Sequence, residues 1–183
     1  YKQTESASAI SACDRFIRLH PNHPNVDYAY YLKGLVNFND DQGLIGYISM
    51  QDMTERDPKA SKESFATFKE LVTKFPDSRY ADDATRRMEY LVTTLAAGEV
   101  HTARYYLNRG AFVAAANRAQ STLKSYPGTP ATEEALYIMI ESYDRLGLNT
   151  LRDDARRIMT KNFPNSTFLA YGYNPPKPWW KVW

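Results

Sequence analysis

Cysteine is almost missing from this chain: of 183 residues, Cys13 is the only one. A lone thiol closes no internal disulfide and, with three histidines in the whole sequence, builds no zinc site of the usual spacing. Charge of one sign is missing too. The formal net charge of +2 is too small to draw in nucleic acid. No apolar run approaches the ~18 residues of a membrane span; the stretch Phe112-Val113-Ala114-Ala115-Ala116 is far too short. Glycine-rich phosphate loops, His-Glu-x-x-His and Gly-x-Ser-x-Gly are all absent. The chain opens at Tyr1 inside helix-like sequence with no charged-then-apolar leader, so it reads as a piece whose own N-terminus lies upstream.

What is present is a repeat. Four amphipathic stretches each end on a ring followed by proline: His20-Pro21, Phe75-Pro76, Tyr126-Pro127 and Phe163-Pro164. Proline lacks an amide hydrogen and restricts its predecessor, so a helix must stop there. Phe65, Phe68, Val72 and Phe75 form one apolar stripe, and Phe112, Ala115, Ala119, Leu123 and Tyr126 another. Cys13, Phe68 and Ala119 each stand eight residues before their proline, and Ala29, Ala84 and Ala135 eight after. A small residue recurring on the following helix suits close helix-helix approach. Gly110 and Gly147 each precede their proline by seventeen residues, where one helix should end and the next turn back.

The last two units are 37 residues apart, close to the roughly 34-residue tetratricopeptide repeat. The expected fold is therefore all-α, a right-handed superhelix of antiparallel helix pairs. About four repeats occupy residues 1–166, the first incomplete, with an insertion loop at 40–57 and a separate tail at 167–183. Tyr80 to Arg109 has no proline and only Gly98, which predicts one long helix. Stacked helix pairs bury a continuous core and leave an extended concave face, a geometry for holding other proteins rather than enclosing a reaction.

The chemistry-bearing residues fit that reading. His20 and His23 belong to a turn with no carboxylates or thiols at ligand spacing, and His101 sits mid-helix, where a satisfied or solvated side chain is expected. Cys13 occupies a core column, where a thiol behaves as a small hydrophobe. No cofactor or metal is expected. Arg86, Arg87, Arg104, Arg109 and Arg118 cluster on the long helix and the one after it. Arg118 stands apart: the same register elsewhere holds Ala12 and Thr67, so a large cation there is no packing requirement of the repeat. Arginine grips a carboxylate with two hydrogen bonds. Tyr105, Tyr106 and Arg109 add ring and charge types enriched at binding hot spots, although Tyr106 suits a core ring of the repeat equally well. The segment Asp40 to Asp57 carries Leu44, Ile45, Tyr47, Ile48 and Met50, too apolar for an idle loop. The tail, with Tyr171, Tyr173, Pro175, Pro176, Trp179, Trp180 and Trp183, suits either docking in a groove or packing on the last helices.

Several blocks resemble one family. They are Asp14 through Tyr28, Glu55-Arg56-Asp57-Pro58, Phe75 through Tyr80, Asp83-Ala84-Thr85-Arg86-Arg87, and Tyr105-Tyr106 with Arg109-Gly110-Ala111-Phe112-Val113-Ala114. In this order they are similar to the BamD (ComL) lipoprotein family of the outer-membrane β-barrel assembly machine, from Tyr1 to about Ser166. The resemblance implies a non-catalytic periplasmic scaffold on the Gram-negative outer membrane that helps fold and insert β-barrel proteins. It implies contact with the membrane only through a lipid anchor outside this chain. It implies BamA as partner, through the POTRA domain nearest the membrane, with BamC, BamE and unfolded outer-membrane proteins as others and no nucleic acid. Arg109 and Arg118 match the family's BamA-binding arginines, and Tyr105 and Tyr106 are placed with them. Two other readings remain: a different periplasmic repeat adaptor, such as one coordinating cell-wall synthesis, and a wall hydrolase with a helical body. The hydrolase would need an acid carboxylate; Glu133 and Glu134 read better as first-turn acids favoured by a helix dipole.

Overall fold

A computed structural model of the chain describes residues 2–42 and 58–173. Among them are eight α-helices: α1 Lys2–Leu19, α2 Val26–Gln42, α3 Lys59–Lys74, α4 Ala81–Asn108, α5 Phe112–Ser125, α6 Ala131–Arg145, α7 Asn149–Asn162 and the short α8 Thr167–Tyr171. Helices adjacent in sequence pack on one another within α1–α2–α3 and within α5–α6–α7, and α8 returns to α6. The fold is all-helical and consistent with a tetratricopeptide-like repeat.

The ring-proline punctuation acts as expected. Phe75, Tyr126 and Phe163 leave helical geometry with φ of −134°, −133° and −131°, each donating its N–H to the carbonyl four residues back. The same departure at three sites follows from one cause, the exclusion of helical backbone before proline. Gly110 and Gly147 take left-handed φ of 75° and 70°. Behind them the Ala111 and Leu148 N–H groups donate to the Tyr106 and Tyr143 carbonyls, both at 2.9 Å. This is the Schellman closure that glycine permits at no steric cost.

The proline-free stretch forms one helix of 28 residues, α4. At the expected insertion, α2 continues through Gln42, three residues further than the sequence suggested. Leu44, Ile45, Tyr47, Ile48 and Met50 lie outside the described residues, as do Pro175, Pro176, Trp179, Trp180 and Trp183.

The chain divides into two compact units, residues 1–95 and 96–183. In the first, Phe68 and Leu71 of α3 are wholly buried beside Tyr30 and Phe38 of α2 and Ala84 and Leu91 of α4. Gly34 makes this packing possible: a Cβ there would collide with the Phe68 ring. Beside it the Ser64 hydroxyl donates to the Gly34 carbonyl at 2.9 Å, drawing α2 and α3 together. Gly34→Ala gains roughly 1 kcal/mol of helix propensity but overpacks the ring, so a net loss of about 1–2 kcal/mol is expected in denaturant unfolding.

The first unit also holds a buried-edge polar cluster. Asp83 accepts from the Tyr31 hydroxyl at 2.7 Å and from Arg87 Nε at 2.6 Å. Arg87, and then Tyr31, hold the Asp83 carboxyl below its usual range. A depressed folded-state pKa adds stability above the unfolded value of about 3.9 and loses it as pH falls through the folded value. With the carboxylate about a third exposed, Asp83→Asn should cost about 1 kcal/mol at pH 7 and progressively less as pH falls below the unfolded value of about 3.9, read from melts across that range.

In the second unit the core is made of small residues at the contacts, Ala103, Ala115, Ala119 and Ala135, with Ile138 and Met159 between them. Ala29, Ala84 and Ala135 are all buried, as are Cys13, Phe68 and Ala119. The two columns read from the prolines are core columns.

Candidate functional site

Tyr105 and Tyr106 occupy the last turn of α4, Arg109 lies in the turn that follows it, and Arg118 stands midway along α5. Seven residues separate Glu99 from Tyr106, and Arg109 follows three later. At 3.6 residues per turn, Glu99 and Tyr106 share a strip of α4, and Arg109 falls in the turn after its end. Arg118 reaches that strip from α5: its Nη1 donates to Glu99 Oε2 at 2.8 Å. Arg118 thus meets Glu99 between α5 and α4, while Tyr106 lies about two turns further along α4 and Arg109 in the turn after it.

Their environments differ. Tyr105 is 56% exposed, and its ring meets that of Tyr106 edge-on at 5.9 Å. Tyr106 is half-buried against the core cluster, so it serves the repeat as well as the edge. Arg109 is exposed, and no carboxylate among the described residues pairs with it. Arg118 is not the unpartnered cation that its register suggested. It forms an internal ion pair, with the arginine side chain 41% exposed and the Glu99 side chain 23%. Comparing one column across repeats cannot reveal this, because the partner comes from another helix. Glu99 also reaches Tyr126, whose phenol is pushed up by burial first and by the Glu99 charge second.

A second ion pair leaves α4 and is built differently. Arg104 meets Glu134 of α6 with two bonds, Nε to Oε1 at 2.6 Å and Nη2 to Oε2 at 2.8 Å. The Tyr173 hydroxyl adds a third donor to Glu134 at 2.9 Å. Burial, then the Glu134 carboxylate, drives the Tyr173 phenol far above its ordinary value. The Tyr137, Phe168 and Tyr173 rings pack within 5.2–5.6 Å of one another. The tail as far as Tyr173 thus folds back on α6. Glu134 is a structural clasp and not a free acid in a cleft.

The remaining candidates are structural as well. His20 and His23 pack their rings on Phe16 at 5.4 and 5.2 Å, and His23 Nδ1 accepts from the Asn25 amide. The Cys13 thiol is pushed up by burial, then by neighbouring Asp14, against a nucleophilic role. Among the described residues no group of three His, Cys, Asp or Glu could hold a metal, and no helix is long and apolar enough to cross a membrane.

A model of the YfiO outer membrane lipoprotein family matches residues 1–159, from the start of α1 through most of α7. The chain belongs to the BamD family. Three relatives named outer membrane protein assembly factor BamD show the range of similarity. The one from Neisseria meningitidis serogroup A is 50% identical across the whole chain, which spans 69% of its length. The one from Xylella fastidiosa (strain Temecula1) is 39% identical over 92% of the chain and 58% of its own length. The one from Vibrio cholerae is 38% identical over 88% and 67%. Arg109 and Arg118 lie inside the stretch matched by the BamD-family model, and the clasp formed with Tyr173 ends beyond it.

Sequence reasoning missed Glu99, the acceptor of Arg118, and Tyr173 as the residue that secures the tail. The signal for the first was modest: a lone carboxylate seven residues before Tyr106 on an otherwise apolar-and-small stretch of α4.

Proposed function

We propose that this BamD-family chain is a non-catalytic scaffold in the assembly of outer-membrane β-barrel proteins, and that the α4–α5 edge grips the periplasmic domain of BamA. Relatives up to 50% identical carry the name outer membrane protein assembly factor, which supports the first half. What supports the second is a partly exposed Arg118 on α5, with the exposed Tyr105 near the end of α4 and the exposed Arg109 in the turn between the two helices. Among the described residues no carboxylate pairs with Arg109, and Arg118 gives one bond to Glu99. Tyr105 supplies an exposed ring with few torsions to freeze on binding. Acidic side chains on a partner domain would meet both charge and aromatic surface there.

In this reading the POTRA domain nearest the membrane is the occupant of the edge. BamC, BamE and unfolded outer-membrane proteins are further partners, and a lipid holds the full-length protein to the outer membrane. Family membership alone supports these last assignments. Co-purification of BamA with the chain from solubilised envelopes tests the partner. A chain that recovers cell-wall synthases and no BamA would overturn it.

A further inference from the structure

The two ion pairs that leave α4 in the second unit present opposite geometries. Glu134 carries three bonds: it takes both prongs of Arg104 and the Tyr173 hydroxyl. Among the described residues Glu99 takes one bond, from Arg118 Nη1 at 2.8 Å. The Nε–Nη2 edge of Arg118 has no acceptor among the described residues, and that edge is the one that receives a carboxylate side-on through two parallel bonds. The geometry points to Glu99 as the positioning residue for Arg118, holding the guanidinium end-on so that its side-on edge is ready for an acidic group of a partner. This inference rests on the partner-binding reading of the α4–α5 edge.

The physical reason is preorganisation. A free arginine side chain samples many rotamers, and binding must freeze them. Glu99 sits on a well-packed helix between buried Ala96, Val100 and Ala103, so its own carboxylate is placed by the core. Tethering Arg118 to it removes much of that freedom before the partner arrives. A guanidinium has five N–H donors, so one bond to Glu99 leaves capacity for a second carboxylate. Glu99 also partly neutralises Arg118, which would oppose binding if charge alone mattered. The two effects predict opposite results on removing Glu99.

Calorimetry of the full chain against the soluble periplasmic domain of BamA separates them. Glu99→Gln keeps an acceptor oxygen and should bind within about threefold of wild type. Glu99→Ala should bind about tenfold more weakly, the loss appearing in the dissociation rate. In an Arg118→Ala background, Glu99→Ala should add no further loss, because it acts only through the arginine. A loss that persists in that background marks a structural role and overturns the inference, as does a Glu99→Ala chain that binds as tightly as wild type or more so. If Arg118→Ala itself binds like wild type, the edge reading fails, and that outcome is distinct from failure of Glu99 alone.

Discussion

Arg118→Glu should weaken binding to the BamA periplasmic domain by about 2–5 kcal/mol, the range for breaking a hydrogen-bonded charge pair at an interface. Two effects combine in that substitution. The partner's acidic group loses its donor, and the new carboxylate stands opposite Glu99, which already lies within 2.8 Å of the guanidinium it replaces. Stability should change far less. The Arg118–Glu99 pair is partly exposed on both sides, and such pairs contribute roughly 0–1 kcal/mol. Helicity and melting should therefore stay close to wild type while calorimetry registers the loss. Arg118→Ala, which introduces no repulsion, should fall between the two. If Arg118→Glu binds with unchanged affinity and intact helicity, Arg118 is no part of the contact.

Phe68→Ala should be the most damaging single change to the fold, costing about 3–5 kcal/mol in denaturant unfolding. The ring is wholly buried, meets Tyr31 and Phe38 at 6.1 and 6.4 Å, and fills the space that Gly34 leaves open. Its removal leaves a cavity between α2 and α3 that the flanking rings cannot fill without leaving their own contacts. The pairing with Gly34 makes the test sharper. In the Phe68→Ala background, Gly34→Ala no longer collides with a ring and keeps its helix-propensity gain, so its sign should reverse from destabilising to mildly stabilising. Additive behaviour of the two changes would mean that glycine and ring are not fitted to one another.

The positions that governed the fold were the ones with backbone consequences. Pro76, Pro127 and Pro164 stop helices for a reason local to the chain, and Gly110 and Gly147 close them in a conformation few other residues tolerate. Counting from these fixed points placed Ala84 and Ala135 in the core, and the absence of proline between Tyr80 and Arg109 gave α4. Gly34 was invisible to that counting, because a mid-helix glycine signals close approach without saying what approaches. The ion pairs were hidden for the same reason. Arg118 could be singled out as unneeded by the repeat, but its acceptor lies nineteen residues away on another helix, and no periodicity joins the two. Likewise Tyr173 looked like part of a proline-rich tail, whereas its hydroxyl reaches Glu134 of α6 and ties the tail to the second unit.

The proposed edge was named in the sequence residue by residue, not as a surface. Arg109 and Tyr105 are as exposed as binding residues should be, and Tyr106 divides its ring between core and edge. What the fold adds is the pair that Arg118 of α5 forms with Glu99 of α4, on the same strip of the helix as Tyr106.

A photo-crosslinking residue installed at Tyr105, with the complex intact in cells, reads that edge most directly. A crosslinked species containing BamA is the expected product, with a matching probe at Val113, 59% exposed on α5 beside the turn, giving the same partner. Robust expression with no BamA adduct at either position would contradict the account.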